Sequence, residues 1–393
     1  MDPTESIKGI KGNLLSNKKI VFAITGSVSA EEAVKIAREL IRYGAEIYPV
    51  MSEDSKEMIT STAIEYATGK KPIEKISGLT EHVILEKECD LLLIAPCSAN
   101  TLSKIACGAG DTSVTLFALT FLGSKPIIIS PAMSKTMYNN PIIEENINKL
   151  RSLGITIIEP KMEEGKAKLP SNDTIVANVI RILNKKMKRK ILIIGGSTEE
   201  PIDDIRVITN RSSGKTSIEL AKAAFYLGND VTLFLGRSEI EPPEYIKTKR
   251  FRTFDDLLNM IDEMVSYDTI IVPAALSDFK SEKMEGKIKS DSSLKIQLEP
   301  LPKFLKILRE KYKKDLIAFK AEFGYENLIN ESRKMIEEYS LKFVVANDMR
   351  DVKRDETKIL IVRKNSIIEY EGKKSDIGLK IMQFYFNLIE HNE

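Results

Sequence analysis

The sequence predicts an α/β protein with two Rossmann-like three-layer domains, each a parallel sheet covered by helices. Three observations predict this fold class. Short β-branched runs alternate with amphipathic segments, which is typical of strands buried on both faces. The alternation stops at a basic run, NKKMKRK (184–190), and then begins again. The length of 393 residues is also too great for one ordinary hydrophobic core.

We expect the first domain at 1–188 and the second at 189–393. An amphipathic helix is predicted over residues 30–44, because its apolar residues recur at helical spacing. The strand-like runs of the first domain are KIVFAIT (19–25), EIYPVMS (46–52), DLLLIAP (90–96), PIIISPAM (126–133) and ITIIEP (155–160).

The second domain repeats the alternation and adds a hairpin, predicted over 358–372 and followed by a last helix. Its strand-like runs are KILIIGG (190–196), DVTLFLG (230–236), TIIVPAA (269–275), LIAFKAE (316–322) and KFVVAND (342–348). Its other helices are predicted near 215–227, 254–266 and 325–339. Ligands of open parallel sheets bind beyond the carboxyl ends of the strands, so we expect the functional residues there.

Composition excludes several classes of protein. A content of 42% hydrophobic and 30% charged residues is typical of a soluble globular protein, and a net charge of +2 gives no basic excess for nucleic-acid binding. No apolar run reaches the roughly 18 residues of a membrane span, and the first residues lack the apolar segment of a secretory signal. Three cysteines do not form a disulfide framework and favour a reducing cytoplasm.

Small and hydroxyl residues follow the predicted strands of the first domain. TGSVSAEEA (25–33) lacks G-x-G-x-x-G. Gly26 allows a tight turn, and Ser27, Ser29 and the amides of the next helix could hold a phosphate, or the segment could be an ordinary strand-to-helix turn. CGAGDT (107–112) follows a helix and is interpreted as its cap. APCSANT (95–101) and PAMSKTMYNNP (131–141) offer backbone against which a flat ring could lie. His82 is either structural or a catalytic base.

Together these segments resemble the flavin-dependent phosphopantothenoylcysteine decarboxylase family over residues 18–183. The resemblance implies a flavodoxin-like, FMN-binding domain in which His82 is the base and Met133 and Ser134 contact the substrate. The residues implied for FMN binding are Gly26, Ser27, Ser52, Ser98, Asn100 and Thr101. The chemistry of the reaction explains why a flavin is required, because loss of CO2 from a cysteine amide needs an electron sink. Histidine has a suitable pKa for removing the thiol proton.

Two positions depart from that family. Ser134 stands where the family usually has asparagine, and the flap EEGKAKLP (163–170) lacks the usual A-C-G cysteine. A proton donor could instead be Lys166 or Lys168, if a closed apolar site lowered the lysine pKa, or Cys97. Both lysines could equally bind the substrate phosphate.

TNRSSGKT (209–216) ends like a phosphate-binding P-loop, but Thr209 stands where the first glycine belongs. A P-loop joins a buried strand directly to a helix, whereas STEEPIDDIRVI intervenes here. The full stretch 195–215 instead resembles the phosphopantothenate–cysteine ligase family. The resemblance covers about residues 188–390 and continues in four further segments. These are PAALSDF (273–279), KIKS (287–290), AFKAE (318–322) and AND (346–348).

The ligase resemblance implies a role for each matching residue. Asp278 would hold Mg2+ against a triphosphate, and Lys289 would stabilise the departing pyrophosphate. Asn210 would hold an acyl-nucleotide, and Arg206 would bind a phosphate through its two parallel N–H groups. The remaining implied contacts are Ser212, Ser213 and Gly214 for the intermediate, and Ala274, Ala275 and Phe319 for the nucleotide. That nucleotide is usually CTP, but Lys320 replaces a small residue of bacterial relatives and leaves the choice open.

The sequence is therefore similar to a bifunctional enzyme of coenzyme A biosynthesis, of an archaeal type. Such an enzyme joins 4'-phosphopantothenate to cysteine with CTP through an acyl-cytidylate, and then decarboxylates the product to 4'-phosphopantetheine. The resemblance also implies a homo-oligomer with amino-terminal trimers and carboxy-terminal dimers, which could form a dodecamer. One alternative is an amino-terminal half that only binds flavin and organises the assembly. A nicotinamide dehydrogenase is disfavoured, because neither first turn contains G-x-G-x-x-G.

Overall fold

The computed structural model describes residues 2–288, 294–351 and 355–391. Lys289, one of the predicted catalytic residues, lies outside these ranges. The chain divides into two compact units, of which the first ends at Asn184 and the second begins at Lys185. Each unit is an α/β structure with its own sheet.

The amino-terminal unit is built on a five-stranded parallel sheet in the order β2-β1-β3-β4-β6. The central strand β3 is buried along its whole length, as a sheet covered on both faces requires. The strands of the unit are β1 (Lys19–Ile24), β2 (Glu46–Met51), β3 (Leu91–Cys97), β4 (Ile127–Pro131), β5 (Met133–Ser134), β6 (Thr156–Ile157), β7 (Lys161–Glu163) and β8 (Lys166–Lys168).

Side-chain caps begin most helices of this unit: Ser98 and Asn140, for example, each accept a hydrogen bond from a backbone N–H of the helix that follows. Gly108, in the left-handed conformation, ends α4, so CGAGDT is a helix cap as expected. The helices are α1 (Ala33–Arg42), α2 (Ser61–Thr68), α3 (Glu81–Glu88), α4 (Ala99–Cys107), α5 (Ser113–Phe121), α6 (Lys135–Tyr138), α7 (Pro141–Ser152) and α8 (Asn172–Leu183), with short 3-10 turns at Glu5–Ile7, Val28–Glu32 and Glu53–Glu57.

The predicted strand 126–133 divides into two parts. Its apolar residues form β4, while Met133 and Ser134 leave the main sheet and form β5. β5 pairs with the flap hairpin β7–β8 in a small antiparallel sheet, with Met133 opposite Ala167 and Ser134 opposite Lys166. The PAM segment and the flap are therefore neighbours.

The carboxy-terminal unit contains an eight-stranded sheet in the order β13-β12-β9-β14-β17-β18-β19-β20. The six strands from β13 to β18 are parallel, and the last two add the predicted antiparallel hairpin. The main strands are β9 (Lys190–Gly195), β12 (Asp230–Leu235), β13 (Lys247–Arg250), β14 (Thr269–Val272), β17 (Asp315–Glu322), β18 (Phe343–Asp348), β19 (Glu356–Val362) and β20 (Ile367–Lys373). Two small ribbons pair β10 (Glu199–Pro201) with β11 (Val207–Thr209), and β15 (Phe279–Lys280) with β16 (Glu299–Pro300).

The helices of this unit are α9 (Lys215–Tyr226), α10 (Phe254–Asn259), α11 (Ile261–Met264), α12 (Phe304–Lys311), α13 (Tyr325–Tyr339) and α14 (Lys374–Glu390). The helix predicted over 254–266 forms two short pieces that meet at Met260. Within the described ranges, no helix combines the length and apolar character needed to cross a membrane.

Candidate functional site

In the amino-terminal unit, hydrogen bonds join the ends of strands β1 and β3. The Thr25 hydroxyl donates to the Pro96 carbonyl at 2.9 Å and accepts from the Ser98 backbone N–H at 2.8 Å. The Ser98 hydroxyl in turn accepts from the Thr101 backbone N–H at 3.3 Å and begins α4. The predicted residues Ser98 and Thr101 are thus fixed beside the TGSVS turn, while Asn100 is exposed on the same helical turn.

The TGSVS turn also meets the segment after β2. A Cβ on Gly26 would lie 2.5 Å from the Cβ of Asp54, so only glycine permits this close approach. The Ser27 hydroxyl lies 3.5 Å from the carbonyl oxygen of Ala132, in the PAM segment. Three predicted segments therefore converge at the carboxyl edge of the sheet.

Unsatisfied polar atoms surround this edge. Four buried side-chain polar atoms of the described residues have no hydrogen-bond partner; three are Ser52 Oγ, Ser130 Oγ and His82 Nδ1, and the fourth belongs to Arg38. Ser52 directly follows β2, and Ser130 is the next-to-last residue of β4. Buried polar groups without partners are costly, so their recurrence here indicates a ligand that completes them.

His82 lies in the first turn of α3, where packing orients its ring. The ring contacts Phe117 edge to face, with centroids 6.4 Å apart and an interplanar angle of 77°. Leu85, on the same side one turn later, is buried and anchors the helix to the core. The imidazole is thus held in place while Nδ1 stays free to bind or to accept a proton.

The flap presents charged rather than apolar surroundings to its lysines. A hydrogen bond from Lys168 to Glu164, at 2.6 Å, raises the pKa of Lys168. The expectation that a closed apolar site lowers a flap lysine pKa is therefore wrong for Lys168, and Lys166 is exposed. Ser134 accepts from the backbone N–H of Met137 at 3.2 Å and begins α6.

Cys97 lies at the end of β3 and is fully buried among apolar residues. This burial raises the pKa of its thiol. The side chain is therefore protonated at neutral pH, which a proton donor requires, but it is a weak acid.

In the carboxy-terminal unit, the TNRSSGK segment leads into helix α9, which packs against the end of β9. A Cβ on Gly195 would lie 2.1 Å from the Cβ of Ser217, so the two elements touch through backbone and a small side chain. Gly214 occupies the N-cap position and has no side chain that could bond the helix amides. The predicted residues Ser212, Ser213 and Gly214 thus lie at a helix N-terminus, a position that favours anions.

Hydrogen bonds connect this segment to the PAALSD segment. Asn210 Nδ2 donates to the carbonyl oxygens of Ala275 at 3.3 Å and Leu276 at 2.9 Å. The Ala275 backbone N–H donates to the Gly196 carbonyl at 2.9 Å. Asn210 and Ala275, both of which are predicted ligase residues, are therefore neighbours in the structure.

Two open cavities flank the PAALSD segment. The first, of about 540 Å³, is lined by the predicted residues Ser212, Ser213, Gly214, Ala274, Ala275 and Phe319. The second, of about 420 Å³, is lined by Asp278. Both share a wall that includes Ala274 and Phe319. An elongated ligand could therefore extend from one cavity into the other.

Asp278 is 62% exposed and pairs with Lys303 at 2.6 Å. Within the described part of the chain, no group of three or more His, Cys, Asp or Glu side chains could hold a metal ion. Asp278 is thus not part of a ready-made group of metal ligands, and it lines the second cavity together with Glu331 and Glu338.

Arg206 is engaged elsewhere. It forms an ion pair with Asp203 and donates to the Ile288 carbonyl at 3.2 Å, and it lines neither cavity. Burial alone would raise the pKa of Asp203, but backbone N–H donors, Arg206 first among them, lower it well below its usual range. The pair holds the STEEPIDDIR segment in place.

The lining residues of the first cavity that were not predicted as site residues include Asn347, Thr357 and Lys374. Asn347 Nδ2 donates to Thr357 Oγ1 at 3.0 Å and to the Lys358 carbonyl at 3.2 Å. The AND segment signalled Asn347. Ser130, in the amino-terminal unit, was not predicted, because a single serine within an apolar strand has the sequence pattern of an ordinary core position.

Two parallel sheets, each with polar groups gathered at its carboxyl edge, define an α/β enzyme with two separate sites. Residues 9–184 match the Flavoprotein family, and residues 186–388 match the DNA/pantothenate metabolism flavoprotein C-terminal domain. The chain is 43% identical over 370 residues to the coenzyme A biosynthesis bifunctional protein CoaBC of Thermococcus kodakarensis, covering 91% of each chain. It is 40% identical over 404 residues to CoaBC of Methanocaldococcus jannaschii, covering 99% of this chain and 98% of the relative.

A solved structure, the C-terminal domain of a CoaBC protein, is 29% identical and superposes with a TM-score of 0.44, covering 52% of this chain and 96% of that one. The chain belongs to the family of bifunctional coenzyme A biosynthesis proteins. It is an enzyme with phosphopantothenoylcysteine decarboxylase and phosphopantothenate–cysteine ligase activities. The predicted fold class and bifunctional reaction are confirmed, and the flavin-binding-only alternative is not supported.

Proposed function

We propose that the amino-terminal site binds FMN and converts 4'-phosphopantothenoylcysteine to 4'-phosphopantetheine, with His82 as the base. The observation that supports this most is the group of buried, unbonded atoms Ser52 Oγ, Ser130 Oγ and His82 Nδ1. These atoms fit a flat, polar-edged cofactor that would complete their hydrogen bonds. When bound, the flavin would supply the electron sink for decarboxylation.

The protein's own residues would bind, orient and move a proton. Gly26 and Ser27 would admit the cofactor at the TGSVS turn, and Ser98, Asn100 and Thr101 would contact it from the first turn of α4. The remaining predicted contacts, Met133 and Ser134, would cover the substrate from the small sheet that includes the flap. His82 Nδ1 would accept the proton of the substrate thiol.

Titration of flavin-free protein with FMN tests the cofactor. Ser52→Ala and Ser130→Ala should each weaken FMN binding by about two- to ten-fold, because a neutral hydrogen bond contributes roughly 0.5–1.5 kcal/mol. Ser152→Ala, at an exposed serine of α7, is the matched control. Failure of the wild-type protein to bind FMN, or equal effects of all three changes, would reject the assignment.

We infer that the ligase uses CTP and forms an acyl-cytidylate across the two joined cavities. The nucleotide would occupy the second cavity, with its base against Phe319 and the Ala274–Ala275 backbone. Asn210 and the amides of residues 212–214 would hold the acyl group and its arm in the first cavity. The shared wall of the two cavities is the observation that supports this arrangement.

We further propose that Asp278 and the triphosphate oxygens together hold Mg2+. Magnesium is commonly held by one or two carboxylates with substrate phosphates, so a single exposed carboxylate fits it. Lys289, outside the described residues, stays a predicted stabiliser of the departing pyrophosphate.

Pyrophosphate release with CTP, ATP, GTP and UTP, with and without a chelator, tests both ideas. Release should require 4'-phosphopantothenate, favour CTP and stop when Mg2+ is removed. Asp278→Asn should raise the Mg2+ concentration needed for half-maximal rate, whereas Asp262→Asn, at an exposed carboxylate on α11, should not. Equal use of all nucleotides would reject CTP, and chelator-insensitive release would reject the metal.

We also propose a cytoplasmic homo-oligomer, with amino-terminal trimers and carboxy-terminal dimers that could form a dodecamer. Exposed apolar side chains on and near α3 and α5 support an association surface on the amino-terminal unit. They are Leu79, Val83, Ile84 and Leu119.

A further inference from the structure

Lys374 has an unusual position in the first cavity of the carboxy-terminal unit. It is the first residue of α14, is only 8% exposed and lines the cavity wall. Its ammonium forms no hydrogen bond or ion pair with a described residue and is not among the fully buried polar atoms that lack a partner, so Nζ is accessible from the cavity. A largely buried cation that forms no ion pair is costly, so a position of this kind calls for an anionic ligand.

The surroundings of Lys374 add positive charge. Lys215, the first residue of α9, lines the same cavity and pairs with the largely exposed Asp355. Burial, followed by the nearby Lys215 charge, lowers the pKa of Lys374, while Asp355 opposes this shift. The N-terminus of the twelve-residue helix α9 opens on the same space. Two lysines and a helix N-terminus therefore face one cavity.

We propose that Lys374 binds the phosphate monoester of 4'-phosphopantothenate, assisted by Lys215 and the N-terminus of α9. This assignment rests on the ligase function proposed above. A monoester carries close to two negative charges at neutral pH and offers several acceptor oxygens, which suits two ammonium groups and a helix N-terminus.

The arrangement of the cavities separates this phosphate from those of the nucleotide. Lys374 lines only the first cavity, whereas Asp278 lines only the second. A ligand with its activated carboxyl group near the shared wall would place its far end toward Lys374. Arg206, for which the sequence predicted the phosphate role, is paired with Asp203 and lines neither cavity. Lys374 is therefore the better candidate for that role.

Steady-state kinetics of pyrophosphate release in the full-length enzyme test the assignment. Lys374→Met should raise the KM for 4'-phosphopantothenate about 10- to 100-fold, the loss expected for one charge-assisted contact. The KM values for CTP and cysteine should stay unchanged, and Lys374→Arg should restore part of the affinity. The matched control is Lys373→Met, which changes the exposed neighbouring lysine.

Pantothenate, used as an alternative substrate, tests the contribution of the phosphate group separately. Pantothenate lacks the monoester, so the preference of the enzyme for 4'-phosphopantothenate over pantothenate should largely disappear in Lys374→Met. An unchanged preference would overturn the proposal. A rise in the KM for CTP equal to that for 4'-phosphopantothenate would also overturn it, because Lys374 would then contact the nucleotide.

Calorimetric titration with 4'-phosphopantothenate alone distinguishes this proposal from the ligase proposal. Binding by the wild type that is lost in a Lys374→Met variant with a wild-type unfolding temperature supports the phosphate site, even if no nucleotide is turned over. If Lys374→Met fails to fold, Lys374→Gln serves in the same titration. Wild-type protein that does not bind 4'-phosphopantothenate overturns the phosphate site.

Discussion

His82 is half-buried, with a buried Nδ1 that has no partner and a ring that contacts Phe117 edge to face. His82→Asn should lower the decarboxylation rate by about 10²- to 10⁴-fold, the usual contribution of a positioned general base. Ligation should be unchanged, since the ligase residues belong to the other unit. The measurements are CO2 release and pyrophosphate release by the same preparation.

His391→Asn provides the matched control for that change, because it replaces an exposed histidine at the end of α14. It should leave both rates unaltered. A folded His82→Asn protein that loses both activities equally would contradict the separation of the sites, and one with normal CO2 release would contradict the role of His82.

Single residues were predictable where a motif fixed them and not where folding brought distant segments together. Asn210 was predicted from an ordered motif and Ser52 from the family resemblance, and the two directly follow β11 and β2. Lys374 follows a hairpin with no motif of its own, so its position in a cavity depends on the packing of α14. Arg206 was assigned to a phosphate from its charge, but its ion pair with Asp203 arises from a local turn that spacing does not reveal.

Helix α9 packs so closely on β9 that Gly195 admits no side chain. Gly195→Ala should push α9 away, lower the free energy of unfolding of the carboxy-terminal unit by about 1–3 kcal/mol and weaken ligand binding in the first cavity. Chemical denaturation and the KM for 4'-phosphopantothenate measure the two effects.

Gly195→Ala combined with Ser217→Gly should recover much of the lost stability, because the second change removes the atom that the new methyl group meets. Gly123→Ala, at a position with no neighbouring atoms within 4 Å but a positive φ, reports the backbone strain of alanine alone. A Gly195→Ala protein as stable as the wild type would show that α9 can shift without cost.

The alternation of strands and helices was readable from hydrophobic periodicity, and the main strands lie where it predicted them. The pairing of β5 with the flap could not be predicted, because Met133 and Ala167 are distant in sequence and neither segment has an apolar repeat. The break at Met260 could not be predicted either, because α10 ends and α11 begins there without a proline or glycine to mark it.

The flap hairpin lacks the A-C-G cysteine that the decarboxylase resemblance implies, so we expect another group to return the proton during decarboxylation. Raised pKa values make both Lys168 and Cys97 weak proton donors, but Cys97 ends β3 within the APCSANT segment, next to the predicted flavin contact Ser98, whereas Lys168 is held by Glu164. We therefore expect Cys97→Ala, rather than Lys166→Met or Lys168→Met, to accumulate a decarboxylated product lacking two hydrogens. Mass spectrometry of the product from each variant decides among the three, and saturated product from all of them would indicate that solvent supplies the proton.

At the scale of the whole molecule, two hydrophobic cores lie in different parts of the chain. One core includes Phe117 and the other Phe254, and every member of each belongs to its own unit. The ligase product is the decarboxylase substrate, and each chain carries one site of each kind. The described residues proposed for each reaction all belong to one unit.

Fragments 2–184 and 185–393 should therefore fold separately, each with one cooperative unfolding transition. The first should bind FMN and release CO2, and the second should release pyrophosphate, at rates within about two- to three-fold of the full chain, because each site keeps its core and its hydrogen bonds.

Light scattering should give a multiple of three subunits for the first fragment and of two for the second, if the proposed assembly is correct. An aggregated or unfolded fragment would mean that one unit needs the other for stability. Folded, active monomers would instead contradict the proposed assembly but not the two proposed sites.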